Sequence, residues 1–225
     1  MSDFASVPLY HQLRAACAAE WSAYTEHRFV EALARGRLPE SCFRRYLIQD
    51  YLFLIHFARA YGLAAFKAET LEDIRAAAEG LTAMAGEEMK LHVAYCEKWG
   101  LSEADMAAEP EAHATMAYTR YVLEKGLAGD LLDLQVALAP CVVGYAEIGR
   151  RLIDAPNTVK DGNPYAAWIE MYASEEYQGV AAAHIAHMDT LMARRGGPGR
   201  LAALTTTFHQ ATRLETAFWD MALEP

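Results

Sequence analysis

The residue best suited to covalent chemistry is Cys141, in the apolar segment LAPCVVGYAEIG at 138–149. The thiolate is the reactive form of cysteine, and a free thiol of pKa about 8.5 is only a few per cent ionised at neutral pH. Pro140 precedes it and removes one helical hydrogen bond. We expect a bend or local opening that tilts Cys141 into an interior cavity, with room left by Gly144. The alternative is a kink that only wraps the helix around the core.

Two carboxylates fall on apolar helix faces. Asp50 shares a face with Tyr46, Phe53 and Phe57 by the i, i+3, i+4 rule. Because a buried carboxylate needs donors, Asp50 either pairs with a neighbouring helix or accepts hydrogen bonds from a polar ligand. Glu215 lies at one position of the apolar face of the C-terminal helix. It acts either as a proton carrier in apolar surroundings or as an edge glutamate that reaches solvent.

Three tyrosines are candidates for the same interior. Tyr145 follows Cys141 by four residues, so both lie on one helix face. Tyr118 and Tyr172 belong to other predicted helices. Taken singly, each tyrosine is better explained as a core residue with a satisfied hydroxyl.

A di-metal site of the ferritin-like kind needs Glu-x-x-His on two helices and two further glutamates. Glu88 and His92 are four residues apart, and His184 and His187 lack an acid in the paired position. His11 alone is weak support for haem. We therefore expect neither a metal nor haem.

The composition is that of a globular protein. The chain has 225 residues, of which 53% are hydrophobic and 22% charged, and its net charge is −10. Because no cluster of lysine and arginine offsets this negative charge, we do not expect nucleic acid as a partner. No apolar run reaches the roughly 18–20 uncharged residues of a membrane span, and the N-terminal segment lacks the pattern of a signal peptide. We expect a cytoplasmic protein whose other cysteines are small buried residues: Cys17, Cys42 and Cys96.

Apolar residues recur at helical spacing throughout, without the alternation of strands. Thr70 with Asp73, Asn163 with Pro164, and Pro198 indicate helix starts. Glycines within helices indicate close helix approach or room for a ligand. The sequence predicts one all-α domain over 1–225. The predicted helices are 8–25, 27–35, 39–67, 70–99, 110–126, 129–154, 164–194 and 198–223.

Five segments together resemble the TenA / thiaminase II family in order and spacing. They are YLIQDYLFLIHFARAY, EEMKLHVAYCEKWGLS, LAPCVVGYAEIG, WIEMYAS and LETAFWDMAL. The Q-D, P-C-x-x-x-Y and E-x-x-F-W elements are specific in combination, and the resemblance spans nearly the whole chain. The cysteine within P-C-x-x-x-Y is similar to that of the cysteine-containing branch.

The resemblance implies a single-domain, haem-oxygenase-like helical bundle without haem, usually a homotetramer. It implies hydrolysis of aminomethylpyrimidine, and in some members of thiamin, to hydroxymethylpyrimidine, without a cofactor. By resemblance, Cys141 is the nucleophile, Glu215 the acid/base and Asp50 the acceptor for the pyrimidine edge. The residues that stack on or hydrogen-bond the ring and the catalytic groups are Tyr118, Tyr145 and Tyr172.

Two positions qualify this expectation. Phe53 stands where well-known members carry a tyrosine, so stacking is retained and one hydroxyl is lost, which affects leaving-group preference more than reaction type. His92 falls where several members have a histidine, with either a site role or a structural one. A different class of function also fits these residues, namely a non-catalytic protein that binds pyrimidines or another small aromatic ligand.

Overall fold

The computed structural model describes residues 7–224, apart from the side chains of residues 87, 88 and 91. This part of the chain is helical and contains no β-strand, as predicted. The helices are α1 (Leu9–Ala16), α2 (Ala18–Thr25), α3 (Arg28–Ala34), α4 (Glu40–Lys67), α5 (Leu71–Ala83), a π-helical turn (Met84–Glu88), α6 (Met89–Glu97), α7 (Glu103–Ala108), α8 (His113–Ala128), α9 (Leu131–Asp154), α10 (Ala166–Ala173), α11 (Glu175–Arg195) and α12 (Arg200–Leu223).

Two predicted helices are each divided in two. The segment 8–25 breaks at Cys17, which lies outside the helical region of backbone angles. The segment 164–194 breaks at Ser174, whose side chain accepts a hydrogen bond from the Tyr177 backbone and so begins α11. A serine followed by two acidic residues is a helix-start signal, so the second break was readable from the sequence.

The predicted helix 70–99 is continuous but contains the π-helical turn Met84–Glu88. Its start is confirmed, since the Thr70 side chain accepts from the Asp73 backbone. The short α7 was not predicted, although Ser102 forms a capping box with Asp105 at its start. This helix lies between α6 and α8 and packs on α4.

Helix α10 begins at Ala166, two residues after the expected proline start at Pro164. The expected cap at Asn163 is present, since its Oδ1 accepts a 3.0 Å hydrogen bond from the Tyr165 N–H. Asn163 also anchors the preceding loop. Its side-chain amide donates to the carbonyls of Leu33, Ala34 and Val159. Those bonds tie the loop to the end of α3, which closes one end of the bundle.

Helix α9 is the central element, packed against α8, α10, α11 and α12. By length and composition it is the one described helix apolar enough to cross a membrane, but 89% of its apolar window is buried inside the protein. Such burial is what a core helix of a globular protein shows. The helix is continuous through Pro140, so the local opening expected there does not interrupt it, and the bend stays a prediction.

Two glycines of α9 mark close helix approach, as predicted. A Cβ on Gly144 would lie 2.3 Å from a ring carbon of Tyr24, and one on Gly149 would lie 2.5 Å from the Tyr172 backbone. The room expected beside Gly144 is therefore filled by a tyrosine of α2. The absence of a side chain there lets α2 and α10 pack tightly on α9.

Candidate active site

Asp50 on α4 is paired with His92 on α6. The His92 Nε2 lies 2.6 Å from Oδ2 of Asp50, and both side chains are almost wholly buried. Of the two expectations for Asp50, pairing with a neighbouring helix is therefore observed, and the pair places His92 at the predicted site.

Tyr46, one turn before Asp50, extends this pair. Its hydroxyl oxygen accepts a hydrogen bond of 3.1 Å from the Trp168 indole N–H. Burial raises the pKa of Tyr46 well above its ordinary value, and the Asp50 charge raises it further. The hydroxyl thus keeps its hydrogen at neutral pH. Tyr46 was grouped with Asp50 by spacing but was not predicted as a site residue.

Glu215 on α12 and Cys141 on α9 form the second half of the cluster. The Tyr118 hydroxyl donates a 2.9 Å hydrogen bond to Oε1 of Glu215. Burial raises the pKa of Tyr118 well above its ordinary value, and the charges of Glu215 and Cys141 raise it further. Glu215 is 2% exposed and Cys141 is 4% exposed. The expectation of a solvent-reaching edge glutamate is therefore wrong.

Tyr145 lies between the two halves. After burial, the nearby Tyr46, Asp50 and Glu215 raise its pKa above the ordinary value. Its ring centroid is 4.8 Å from that of Tyr172. The structure thus brings Tyr145 and Tyr172 together, and both belong to an aromatic wall that continues through Trp168 and Trp219.

Phe53 faces the Glu215 side of the cluster. Its ring lies 5.0 Å from Tyr118 and 5.5 Å from Phe218, centroid to centroid. Phe53 brings no hydroxyl, and the hydroxyl that reaches Glu215 comes from Tyr118. Glu215 therefore has a hydrogen-bond partner in Tyr118, although residue 53 is a phenylalanine.

The cluster is enclosed by side chains. Asp50, Cys141 and Glu215 are each at most 4% exposed, so a ligand enters only when neighbouring groups move. A small cavity of about 60 Å³, lined in part by Met84 and Tyr177, adjoins this region. The Tyr177 ring packs edge-on against Tyr172 at 4.8 Å.

Two of the other cysteines have a thiol pKa above the ordinary value. Burial raises the pKa of Cys96 to about 11 and also raises that of Cys17. A thiol with a raised pKa supplies less thiolate at neutral pH. Among the described residues, no group of three or more His, Cys, Asp or Glu side chains is placed to hold a metal ion.

A sequence model of the TENA/THI-4/PQQC family matches residues 14–225. The chain belongs to this family. It is 38% identical over 202 residues to an aminopyrimidine aminohydrolase of Halalkalibacterium halodurans, covering 90% of this chain and 89% of that protein. It is 40% identical over 204 residues to an uncharacterized Haemophilus influenzae protein, covering 91% and 94%.

The fold is the helical haem-oxygenase-like bundle of TenA proteins, as the family resemblance implied. A solved structure from a Silicibacter species, described as a TenA family transcription regulator, superposes with a TM-score of 0.91. It is 45% identical and covers 96% of this chain and 97% of that one.

Three contributors to this TenA-family site were not predicted. They are Tyr46, Trp168 and Tyr24. Tyr24 packs in the space beside Gly144. A spacing signal existed for Tyr46, which precedes Asp50 by one turn. Trp168 likewise precedes Tyr172 by one turn of α10, and their ring centroids are 4.6 Å apart. The sequence offered no such signal for Tyr24, because its contact with Gly144 joins separate helices.

Proposed function

We propose that this TenA-family protein is an aminopyrimidine aminohydrolase of the thiaminase II type. It hydrolyses aminomethylpyrimidine to hydroxymethylpyrimidine and ammonia, and thiamin is the second substrate to be tested. The observation that carries the proposal is the buried Glu215–Tyr118 hydrogen bond beside Cys141. It places a proton acceptor and a potential nucleophile in one enclosed cluster with an acceptor carboxylate, Asp50.

In the proposed reaction, Glu215 takes the Cys141 proton and the sulfur adds to the ring carbon next to the one that bears the methylene. The electron pair moves into the ring. It then returns to expel the amine, which leaves with the proton from Glu215. Water adds to the resulting exocyclic methylene and gives its proton to Glu215. The sulfur departs as the thiolate, the ring becomes aromatic again, and Glu215 returns the proton to Cys141, so every proton is accounted for without a cofactor.

Asp50 holds the amino and ring-nitrogen edge of the pyrimidine in this scheme. The aromatic wall of Tyr145, Tyr172 and Trp168 supplies faces on which a flat ring stacks. Phe53 supplies a further face without a hydroxyl. The scheme therefore uses each of the candidate residues, with His92 as the partner of Asp50.

This function belongs to thiamin salvage, and we propose a cytoplasmic homotetramer as its setting. The net charge of the chain is −10, whereas proteins bind the phosphates of nucleic acid through positively charged side chains. The regulator description of the similar Silicibacter protein therefore finds no support in the charge of this chain.

A non-catalytic pyrimidine-binding protein is the second candidate, favoured by the enclosed aromatic lining. Incubation with aminomethylpyrimidine separates the two, with ammonia and hydroxymethylpyrimidine measured as products. The enzyme releases both in equal amounts, and the Cys141→Ser variant releases neither. Saturable binding with no ammonia from the wild-type protein would establish the binding protein instead.

A further inference from the structure

A cleft of about 350 Å³ lies between α5 and α11, outside the cluster that holds Asp50, Cys141 and Glu215. None of the candidate site residues lines this cleft. Its volume is within the range of pockets that hold small molecules. The cleft therefore has room for one small ring system. Its walls are small residues of the two helices, namely Ala76 and Gly80 of α5 and Gly179, Val180 and Ala183 of α11.

Two deeply buried polar side chains line this cleft. Gln135 of α9 is 2% exposed and His184 of α11 is 7% exposed. Among the described residues, the side-chain amide of Gln135 has no hydrogen-bond partner. Burying an amide without a partner is unfavourable, and buried polar groups in native proteins are nearly always hydrogen-bonded. Gln135 therefore requires a partner that enters the cleft.

His184 presents a hydrogen-bond acceptor to the same cleft. Its Nε2 lies 2.9 Å from the backbone carbonyl of Gln135. Since a carbonyl oxygen only accepts, Nε2 carries the hydrogen and Nδ1 is the unprotonated nitrogen. Nδ1 has no partner among the described residues. Burial lowers the pKa of His184 to about 4, so Nδ1 remains an acceptor at neutral pH.

The exposed part of the cleft is acidic. Glu79 of α5 and Glu176 of α11 line it, and both are exposed. His187 also lines it, and its Nε2 lies 3.0 Å from Oδ1 of Asp73. The guanidinium of Arg194 contacts the same oxygen at 2.6 Å, so its charge is already paired. Exposed carboxylates repel a phosphate group, so the cleft suits an uncharged or cationic molecule and not a nucleotide.

The buried polar groups match one pattern of hydrogen bonds. A glutamine amide offers an N–H donor beside a C=O acceptor. The complementary edge is an exocyclic amino group next to a ring nitrogen, as in the pairing of glutamine with adenine. An amino group has a second hydrogen, for which Nδ1 of His184 is an acceptor. The small apolar walls and the ring of Tyr61 complete a lining for a flat ring.

We propose that the cleft between α5 and α11 is a second binding site, for a small planar heterocycle that carries an amino group beside a ring nitrogen and no phosphate. Gln135 pairs with the amino and ring-nitrogen edge, and His184 accepts the other amino hydrogen. The inference does not rest on the proposed function, because no residue of the cleft takes part in the reaction scheme. The proposed substrate has the same kind of edge, so the experiment must distinguish the two sites.

The test uses 4-aminopyrimidine as the probe and pyrimidine, which lacks the amino group, as its control. Nuclear magnetic resonance of the histidine ring nitrogens reports on the cleft itself, because the signal of an unprotonated ring nitrogen moves upfield when that atom accepts a hydrogen bond. The Nδ1 signal of His184 is assigned by its loss in the His184→Gln variant. A titration of this signal gives the affinity of the cleft for each probe.

Two variants change the cleft in different ways. Gln135→Leu removes the amide at similar size. Ala183→Leu fills the cleft from an exposed position, where a larger side chain leaves the core intact. Gln12→Leu is the matched control, because Gln12 lies on α1 and its amide donates to the carbonyl of Val7. Asp50→Asn changes the other site and leaves the cleft unaltered.

We expect 4-aminopyrimidine to move the Nδ1 signal of the wild-type protein upfield in a saturable way, and pyrimidine to leave it in place. Gln135→Leu and Ala183→Leu weaken this binding by about tenfold or more, whereas Gln12→Leu and Asp50→Asn resemble wild type. A signal that does not move would mean that the cleft holds only water and would overturn the proposal. Equal responses to the two probes, or variants of the cleft that bind as tightly as Gln12→Leu, would overturn it as well.

Failure of the function and failure of this inference are distinguishable, because the Nδ1 signal needs no turnover. A protein that shows the response and releases no ammonia from aminomethylpyrimidine keeps the second site and refutes the hydrolase. A response that is lost in Asp50→Asn would belong to the other site and would overturn the proposal. If Gln135→Leu does not fold by circular dichroism, Ala183→Leu decides the outcome, because its new side chain replaces an exposed one.

Discussion

The Tyr118 hydroxyl donates a 2.9 Å hydrogen bond to Oε1 of Glu215, from a position 97 residues earlier in the chain. The bond satisfies one oxygen of a buried carboxylate and fixes the orientation of the side chain. Because the pKa of Tyr118 is raised well above its ordinary value by burial and by these two charges, Tyr118 orients Glu215 and does not compete as a base.

Cys141→Ser should abolish turnover of aminomethylpyrimidine while the fold is retained. The hydroxyl is similar in size but a far poorer nucleophile, and we expect a loss of about 10³-fold or more in kcat. Cys42→Ser is the matched control, because Cys42 is half-buried and lines a surface pocket that contains none of the candidate site residues. Residual activity within about tenfold of wild type would argue against covalent catalysis.

Glu215→Gln should separate proton transfer from binding. Glutamine keeps the shape and a hydrogen-bonding oxygen, so hydroxymethylpyrimidine affinity should change little. It cannot take up the thiol proton, so kcat should fall by about 10²–10⁴-fold. The limb of the pH profile set by Glu215 should vanish in the variant. Near-normal turnover with the limb retained would remove Glu215 from the mechanism.

Asp50→Asn should weaken binding of both substrate and product. Asparagine carries no charge and matches the aminopyrimidine edge in only one orientation. Loss of a charge-assisted hydrogen bond costs about 1.5–3 kcal/mol, which calorimetry with hydroxymethylpyrimidine resolves. Unchanged affinity would make the Asp50–His92 pair purely structural.

Gly144→Ala should destabilise the protein. The new Cβ would lie 2.3 Å from the Tyr24 ring, and overpacking of a core costs about 1–3 kcal/mol. Gly62→Ala is the control, since Gly62 lies inside α4 and a Cβ there meets nothing within 4 Å. Alanine should stabilise that helix by up to about 1 kcal/mol. Urea unfolding should therefore shift in opposite directions for the two variants.

His184 should make stability fall in mild acid. Burial lowers its pKa from 6.5 to about 4, so the unfolded chain takes up a proton before the folded one does. Stability is therefore fully present above pH 6.5 and declines toward pH 4, by about 2–4 kcal/mol from this group. His184→Gln keeps an N–H donor for the Gln135 carbonyl, which His184 contacts at 2.9 Å, and does not titrate. Its urea midpoint should depend less on pH over this range, and an unchanged dependence would contradict the prediction.

Helical spacing was sufficient to predict which residues share a face of the same helix. The i, i+4 rule grouped Tyr46 with Asp50 and Cys141 with Tyr145, and these pairs do lie on shared faces that point inward. Local signals were also present but not used at Ser102 and Ser174, where capping starts α7 and α11.

The amino-acid sequence by itself determined the all-helical class, the apolar faces and the family to which the chain belongs, because periodicity and local motifs act over a few residues. Only the tertiary structure decided the partners. His92 meets Asp50 across 42 residues and Tyr118 meets Glu215 across 97, and Tyr24 fills the space beside Gly144. No local rule connects residues so far apart; their contacts follow from how whole helices pack around α9, and that packing gives each buried carboxylate its donor.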